Sequence, residues 1–178
     1  IAAWCNFKFD FTENNPLYYA HNLYLYLNNE LVTDLIIPDG VTSIGNLTFA
    51  YCSLASITIP DSVTSIGSDA FKDCGSLEKI TVSDNNVKYA SVDGILYDKN
   101  KTYIIYIPKN IKGDITIPDS VTSIGYEAFY NCSSLKSVII GNGVTGIGDR
   151  AFNGCSSLTG VYITDIAAWC NIWFGGDY

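Results

Sequence analysis

Six cysteines, one histidine and 18 aspartates and glutamates are the side chains of this 178-residue chain that could attack a bond, hold a metal or relay a proton. Nucleophilic catalysis needs a base beside the nucleophile. The sole histidine, His21, lies in "YYAHNLY" between tyrosine and asparagine, and reads as a hydrogen-bonded structural residue of an aromatic strand. Zinc needs a short Cys-x-x-Cys or a mixed Cys/His cluster, and neither occurs. "SDNN" at 83–86 and "DKNK" at 98–101 lack the alternating acids and terminal glutamate of a calcium loop, so both read as turns. Asp39, Asp61 and Asp119 each follow Ile-Pro, where a carboxylate bonds its own backbone. The expectation is a chain with no catalytic residue, no cofactor and no metal, that is, not an enzyme.

These residues recur because the backbone recurs. "IPDGVTSIGNLTFAYCSLASIT" starts at Ile37, "IPDSVTSIGSDAFKDCGSLEKITV" at Ile59, "IPDSVTSIGYEAFYNCSSLKSVI" at Ile117 and "IGNGVTGIGDRAFNGCSSLTGVY" at Ile140. The "LxxIxI" segment of each copy alternates as one-sided strands do. It places Leu54, Ile57 and Ile59, then Leu77, Ile80 and Val82, then Leu135, Val138 and Ile140, then Leu158, Val161 and Ile163 inward. Identical strands from successive coils pair in parallel and bury together what no coil buries alone.

The outward column is then Ile36, Thr58, Thr81, Thr116, Ile139 and Tyr162, flanked by Asp34, Ser56, Lys79, Asp114, Ser137 and Gly160. Pro38, Pro60 and Pro118 end their strands for want of an amide. Gly45, Gly67, Gly125 and Gly148 mark a positive φ or a close approach, and the Ala-Phe pairs at 70–71, 128–129 and 151–152 read as a short helical turn, a place that Phe49 takes in the first copy. Cys52, Cys74, Cys132 and Cys155 share one position, so they stack on rungs about 4.8 Å apart. Their parallel Cβ vectors suit a disulfide poorly. The expectation is a ladder of reduced, buried thiols acting as small apolar fillers.

The pattern L-x-x-I-x-I-P-D-S-V-T-S-I-G-x-x-A-F-x-x-C, over roughly residues 32–83 and 112–165, resembles the BspA-like leucine-rich repeats of bacterial surface proteins. The resemblance implies a leucine-rich-repeat solenoid, mainly β with short helical turns, and a role in extracellular binding. Two segments depart from it. "NLYLYLNNELVTDLII" (22–37) and "GILYDKNKTYIIYI" (from 94, to about 108) read as inserted β-hairpins, turning at Asn28-Asn29 and at 98–101. Residues 1–178 are read as one such solenoid domain.

A net charge of −8 with ten scattered basic residues excludes the electrostatic footprint of nucleic acid or of an anionic membrane. No apolar run approaches the roughly 20 residues of a membrane helix. The first residue is Ile and there is no Met, which implies a longer parent chain with any secretion signal outside this sequence. "IAAWCNFKF" at 1–9 returns as "IAAWCNIWF" at 166–174, as if the chain held one turn of a larger repeat whose bare end could pair end to end with another copy.

Tyrosine and tryptophan, which suit both protein interfaces and sugar stacking, gather outside the regular coils. Tyr18, Tyr19, Tyr24, Tyr26 and Trp173 are the candidate aromatic contacts. The candidate ligand face is Ile36, Thr58, Thr81, Thr116, Ile139 and Tyr162 with Lys79 and Ser137. The sequence therefore suggests a bacterial surface or secreted binding scaffold for host or neighbouring-cell proteins. A carbohydrate-binding module and a structural spacer are the alternatives.

Overall fold

The computed structural model describes Cys5 and residues 24–175. An antiparallel ribbon, β1 (Leu25–Leu27) and β2 (Glu30–Val32), opens the described chain. Asn28 and Asn29 between them both take positive φ (53° and 67°), the two-residue turn whose twist matches that of its strands. This is the first expected hairpin, in place.

The stack begins with β3 (Asp34–Ile36). Each coil has a strand on one face, a short return strand, and a run of turns leading into the next coil. Coil 1 has β3 and β4 (Ser43–Ile44). Coil 2 has β5 (Ser56–Ile59) and β6 (Ser65–Ile66), and β7 (Lys79–Val82) starts a third coil. After an insert of β8 (Tyr89–Val92), β9 (Ile95–Asp98) and β10 (Ile104–Tyr106), coil 3 has β11 (Gly113–Ile117) and β12 (Ser123–Ile124), and coil 4 has β13 (Leu135–Ile140) and β14 (Gly146–Ile147). A last rung carries β15 (Gly160–Ile163), the helix α1 (Ile166–Cys170) and β16 (Trp173–Phe174). The parallel sheets are β3-β5-β7 and β11-β13-β15 on one face, and β4-β6 and β12-β14-β16 on the return path.

The expected inward set is buried from coil to coil: Leu54, Ile57, Ile59, Leu77, Ile80, Leu135 and Val138 are closed to solvent, as are Phe49, Phe71 and Phe129. The rings stack along the solenoid, with Phe49 over Phe71 at 6.3 Å and Phe129 over Phe152 at 4.8 Å. In the last rung the expectation fails, because no further coil among the described residues covers it: Val161 is exposed and Leu158 and Ile163 are only half-buried.

Two local expectations need correcting. The Ala-Phe pairs form no helical turn. They lie in consecutive tight turns, in which Leu47, Asp69, Glu127 and Arg150 take φ of 56°, 55°, 51° and 55° and Tyr51, Asp73 and Asn131 take 64°, 53° and 60°. Alternating hand lets every second amide point at the neighbouring coil instead of up a helix. The amides of Leu47, Phe49 and Tyr51 donate to the carbonyls of Ser68, Ala70 and Lys72 (3.1, 2.8 and 2.8 Å), and those of Glu127, Phe129 and Asn131 to Asp149, Ala151 and Asn153 (3.1, 2.7 and 2.8 Å). The glycines before these turns serve close approach instead of positive φ. A Cβ on Gly67 would lie 2.5 Å from the Asn46 nitrogen, and one on Gly148 2.7 Å from that of Tyr126.

The insert is a three-stranded antiparallel meander in the order β10-β9-β8, one strand more than the expected hairpin. Its first turn is Asp93-Gly94, again with both φ positive (50° and 85°). Its second is the expected one at 98–101, held by the Asp98 carboxylate, which accepts from the amides of Thr102 and Tyr103 at 2.7 Å each. Burial pushes that carboxyl up, but these amides and the Thr102 hydroxyl outweigh it and hold it below its ordinary value.

Asn86 launches the meander. It is fully buried and uses all of its amide: Nδ2 donates to the carbonyls of Pro60 (2.8 Å) and Val63 (2.9 Å), and Oδ1 accepts from the amides of Lys88 (2.9 Å) and Tyr89 (2.8 Å). Replacing it strands four backbone groups at once. Asn86→Ala is expected to cost about 2–4 kcal/mol, measured by urea unfolding, and a cost under about 0.5 kcal/mol would show that water takes over those bonds.

Candidate functional site

The two parallel sheets of the face place the expected outward residues in ladders. Asp34, Ser56 and Lys79 pair side by side, as do Ile36, Thr58 and Thr81. Beyond the insert, Asp114, Ser137 and Gly160 form one row and Thr116, Ile139 and Tyr162 the other. Ile36 is 71 % exposed and Tyr162 58 %; Thr81, Thr116, Ile139 and Lys79 are also exposed, and Thr58 is half-buried.

Ser137 departs from the expected face. It is only 8 % exposed, because its hydroxyl turns along the sheet to donate to the Asp114 carboxylate at 2.7 Å. The same pair recurs in the first half, where Ser56 donates to Asp34. That hydroxyl, with the Thr33 hydroxyl, holds the Asp34 carboxyl below its ordinary value. A fixed acid–hydroxyl pair thus marks one edge of the face in each half.

Between β7 and β11 the face would be open, but the tip of the meander closes it. The Gly94 carbonyl accepts from the Ile80 amide at 2.9 Å and the Asp93 carboxylate from the Thr116 amide at 2.8 Å. Behind them Glu78 accepts from Lys112 and Asn110. The face is therefore continuous across the insert. Nothing in the spacing of the repeats announces this seal, although Asp-Gly between "ASV" and "ILY" is a strong hairpin signal.

The candidate aromatic contacts do not gather in one place. Tyr24 and Tyr26 are exposed on and beside the β1–β2 ribbon. Trp173 is 50 % exposed on β16, on the return-path sheet. Tyr18, Tyr19, Trp4 and His21 lie outside the described residues. Tyr89, Tyr97 and Tyr106 serve the interior: the Tyr89 hydroxyl accepts from the Ile66 amide at 3.0 Å and the Tyr106 hydroxyl donates to the Phe71 carbonyl at 2.6 Å. Tyr97 is closed to solvent and its hydroxyl has no hydrogen-bond partner among the described residues.

The thiols are free. Cys52, Cys74 and Cys132 are buried, but Cys155 is half-buried because it belongs to the coil next to the bare rung. Burial pushes Cys52 up to about 12 and Cys132 up to about 11, so neither is a nucleophile at neutral pH. They are more than apolar fillers. The Cys74 thiol donates to the Phe49 carbonyl at 2.9 Å and that of Cys155 to the Phe129 carbonyl at 3.1 Å, and the Cys132 thiol reaches the Pro108 carbonyl of the insert at 3.8 Å. Among the described residues, no three His, Cys, Asp or Glu side chains are placed to share a metal ion.

This register of coils decides the kinship. The BspA type leucine rich repeat region matches residues 22–113 and 110–170, in six copies. The chain belongs to the BspA-type leucine-rich repeat family. Among solved structures, a leucine-rich repeat protein from Eubacterium ventriosum is 32 % identical over 73 % of this chain and 41 % of its own, with a TM-score of 0.57. The pneumococcal vaccine antigen PcpA is 26 % identical over 72 % of this chain and 38 % of its own, with a TM-score of 0.55. The leucine rich repeat protein of T. pallidum, at 22 % identity over 81 % of this chain and 73 % of its own, shares the fold with a TM-score of 0.51. This BspA-type chain thus spans about two fifths of the first two structures. No curated protein matches it.

Three outcomes follow from these buried groups. In thiol titration of the native chain, the exposed Cys170 reacts rapidly, Cys155 slowly, and all six only after denaturation; rapid native reaction of Cys74 would contradict its burial. Cys74→Ala costs about 1–3 kcal/mol in urea unfolding, and Cys74→Ser costs less because it keeps a donor for Phe49. Tyr97→Phe, which removes an unbonded buried hydroxyl, is neutral or raises stability by up to about 1 kcal/mol.

Proposed function

We propose that this chain is a non-enzymatic binding scaffold, displayed on or released from a bacterial cell, that holds proteins of a host or a neighbouring cell against its open sheet face. The observation that supports this reading is the continuity of that face. Two ladders of side chains run across six rungs with Asp93 and Gly94 sealing the break. In the row beside the fixed Asp34–Ser56 and Asp114–Ser137 pairs, the surface mixes exposed Ile36, Ile139 and Tyr162 with threonines, a flat, half-apolar surface suited to another protein and lacking the depth a small molecule needs. The scaffold takes no cofactor and does not enter a membrane.

Kinship supports the location. The family is one of bacterial surface proteins, and one solved relative is a vaccine antigen, PcpA, so display outside the cell is the location this reading adopts. A second reading, carbohydrate binding, draws on the exposed rings of Tyr24 and Tyr26, which offer flat faces for sugar stacking.

An array of extracellular proteins probed beside a glycan array separates the two. Thr81→Arg with Thr116→Arg, both at exposed positions, is expected to weaken protein hits by at least about tenfold with the thermal midpoint unchanged. Hits confined to glycans, and lost with Tyr24→Ala and Tyr26→Ala, would overturn the protein reading.

A further inference from the structure

Two stretches of the chain share the six residues "IAAWCN", at 1–6 and 166–171, and the structure gives their cysteines opposite surroundings. Cys5 is closed to solvent in the core that holds Leu35, Ile37, Val41 and Ile44 of coil 1, and its carbonyl accepts from the Gly45 amide at 2.8 Å. That bond belongs to a series. The amides of Gly67, Gly148 and Gly175 donate in the same way to the carbonyls of Ile44, Ile124 and Ile147 in the preceding coil, at 2.8, 2.8 and 3.0 Å. Cys5 therefore stands against coil 1 where the return strand of an earlier coil would stand.

Cys170 has the same neighbours in sequence and none of that cover. One side of α1 is packed: Trp169 rests on the core of coils 3 and 4 and meets Phe174 edge-on at 5.5 Å. The other side is bare, with Cys170 exposed and Ile166 68 % exposed. Val161 is 48 % exposed although its β13 partner, Val138, is closed to solvent. No amide among the described residues donates to the Cys170 carbonyl, and β15 has a partner on one edge only. From 156 to 175 the rung carries one charged side chain, Asp165, which is taken up by the cap of α1, accepting from the amides of Ala167 and Ala168 at 2.7 and 3.2 Å. An apolar, nearly uncharged rung with an open strand edge has the make-up of a buried interface.

We infer that the last rung of one copy docks on coil 1 of a second copy, with Cys170 taking the place of that copy's Cys5. The chain itself names the occupant, because coil 1 is the surface that already buries the cysteine of an identical six-residue segment. The edges match as well. Among the described residues β15 and β3 each lack a partner on their outer side, and parallel pairing in the register that joins β13 to β15 and β3 to β5 sets Val161 beside Leu35 and Tyr162 beside Ile36. Inward residues then meet inward residues, and the outward row of the open face runs on from one copy into the next. The contact is head-to-tail and repeats without closing. Competition limits it: the second copy's own Cys5 is tethered beside the same place at an effective concentration on the order of millimolar, so exchange needs a comparable concentration of chains or the release of Cys5.

Sedimentation of the whole chain at increasing concentration is the test. The unaltered chain is monomeric at about 10 μM and associates as it approaches about 1 mM. Cys5→Arg places a charge in the closed core and so drives residue 5 off coil 1; this variant associates at a concentration at least about tenfold lower, and its Cys170 thiol reacts at least about tenfold more slowly in the associated state than in the monomer. Adding Cys170→Arg to Cys5→Arg restores the monomer while leaving coil 1 equally disturbed, which separates docking from misfolding, and unaltered chain mixed with this double variant forms a one-to-one pair. The proposal is overturned if Cys5→Arg stays monomeric up to about 1 mM, if the double variant associates as readily as Cys5→Arg, or if Cys170 keeps its monomer reactivity in the associated state.

Discussion

Every coil depends on the backbone bonds it shares with the next. A single coil of this length buries too little apolar surface to offset the entropy of ordering it, and its turns hold residues such as Leu47, Glu127 and Arg150 in left-handed conformations that cost side-chain-bearing residues energy. The ladder from Leu47, Phe49 and Tyr51 to Ser68, Ala70 and Lys72 offsets both costs at once. It fixes the alternating hand of the turn and brings Phe49 over Phe71. The thiol bonds to the phenylalanine carbonyls lie along the same line, which is why a cysteine suits that position better than alanine would.

The insert is a controlled break of that ladder. Asn86 ends the regular path by occupying the carbonyls of Pro60 and Val63, and the meander it launches repairs one side of the stack and not the other. On the sheet face Asp93 and Gly94 supply the missing acceptors. On the turn side the repair is made by side chains, through the Tyr106 hydroxyl on Phe71 and Lys109 on Tyr130, which fill less space than a coil.

The periodic part of this architecture was legible from the sequence because repetition is a stronger signal than propensity. Once four copies align, inward Leu54, Ile57 and Ile59 and outward Thr58 follow from the two-residue period, and the pairing of Thr58 with Thr81 follows from the offset. The rest lay in non-repeating positions. Left-handed φ at Asp69 and Glu127 has no glycine to announce it, since neighbouring coils impose it. Ser137 alternates outward but lies flat because Asp114 is within reach. β8 was hidden because "YASV" alternates weakly and its turn, Asp93-Gly94, falls between two segments read separately. Asn86 resembles any turn residue until its four partners are seen together. The face could be listed residue by residue, but the break on the turn side could not, because it is made of what the insert keeps from touching.

β9 has a consequence of another kind. Its side chains divide between two cores: Leu96 points into the one built from coils 1 and 2, while Ile95 and Tyr97 enter the one built from coils 3 and 4. One four-residue strand is therefore the shared wall of two apolar interiors. Under tension along the solenoid axis, as when a surface protein tethers two bodies, the two halves act as stiff springs joined through that strand. The load concentrates on the short antiparallel pairs of the meander, so the molecule yields first at its middle and each half keeps its own packed interior.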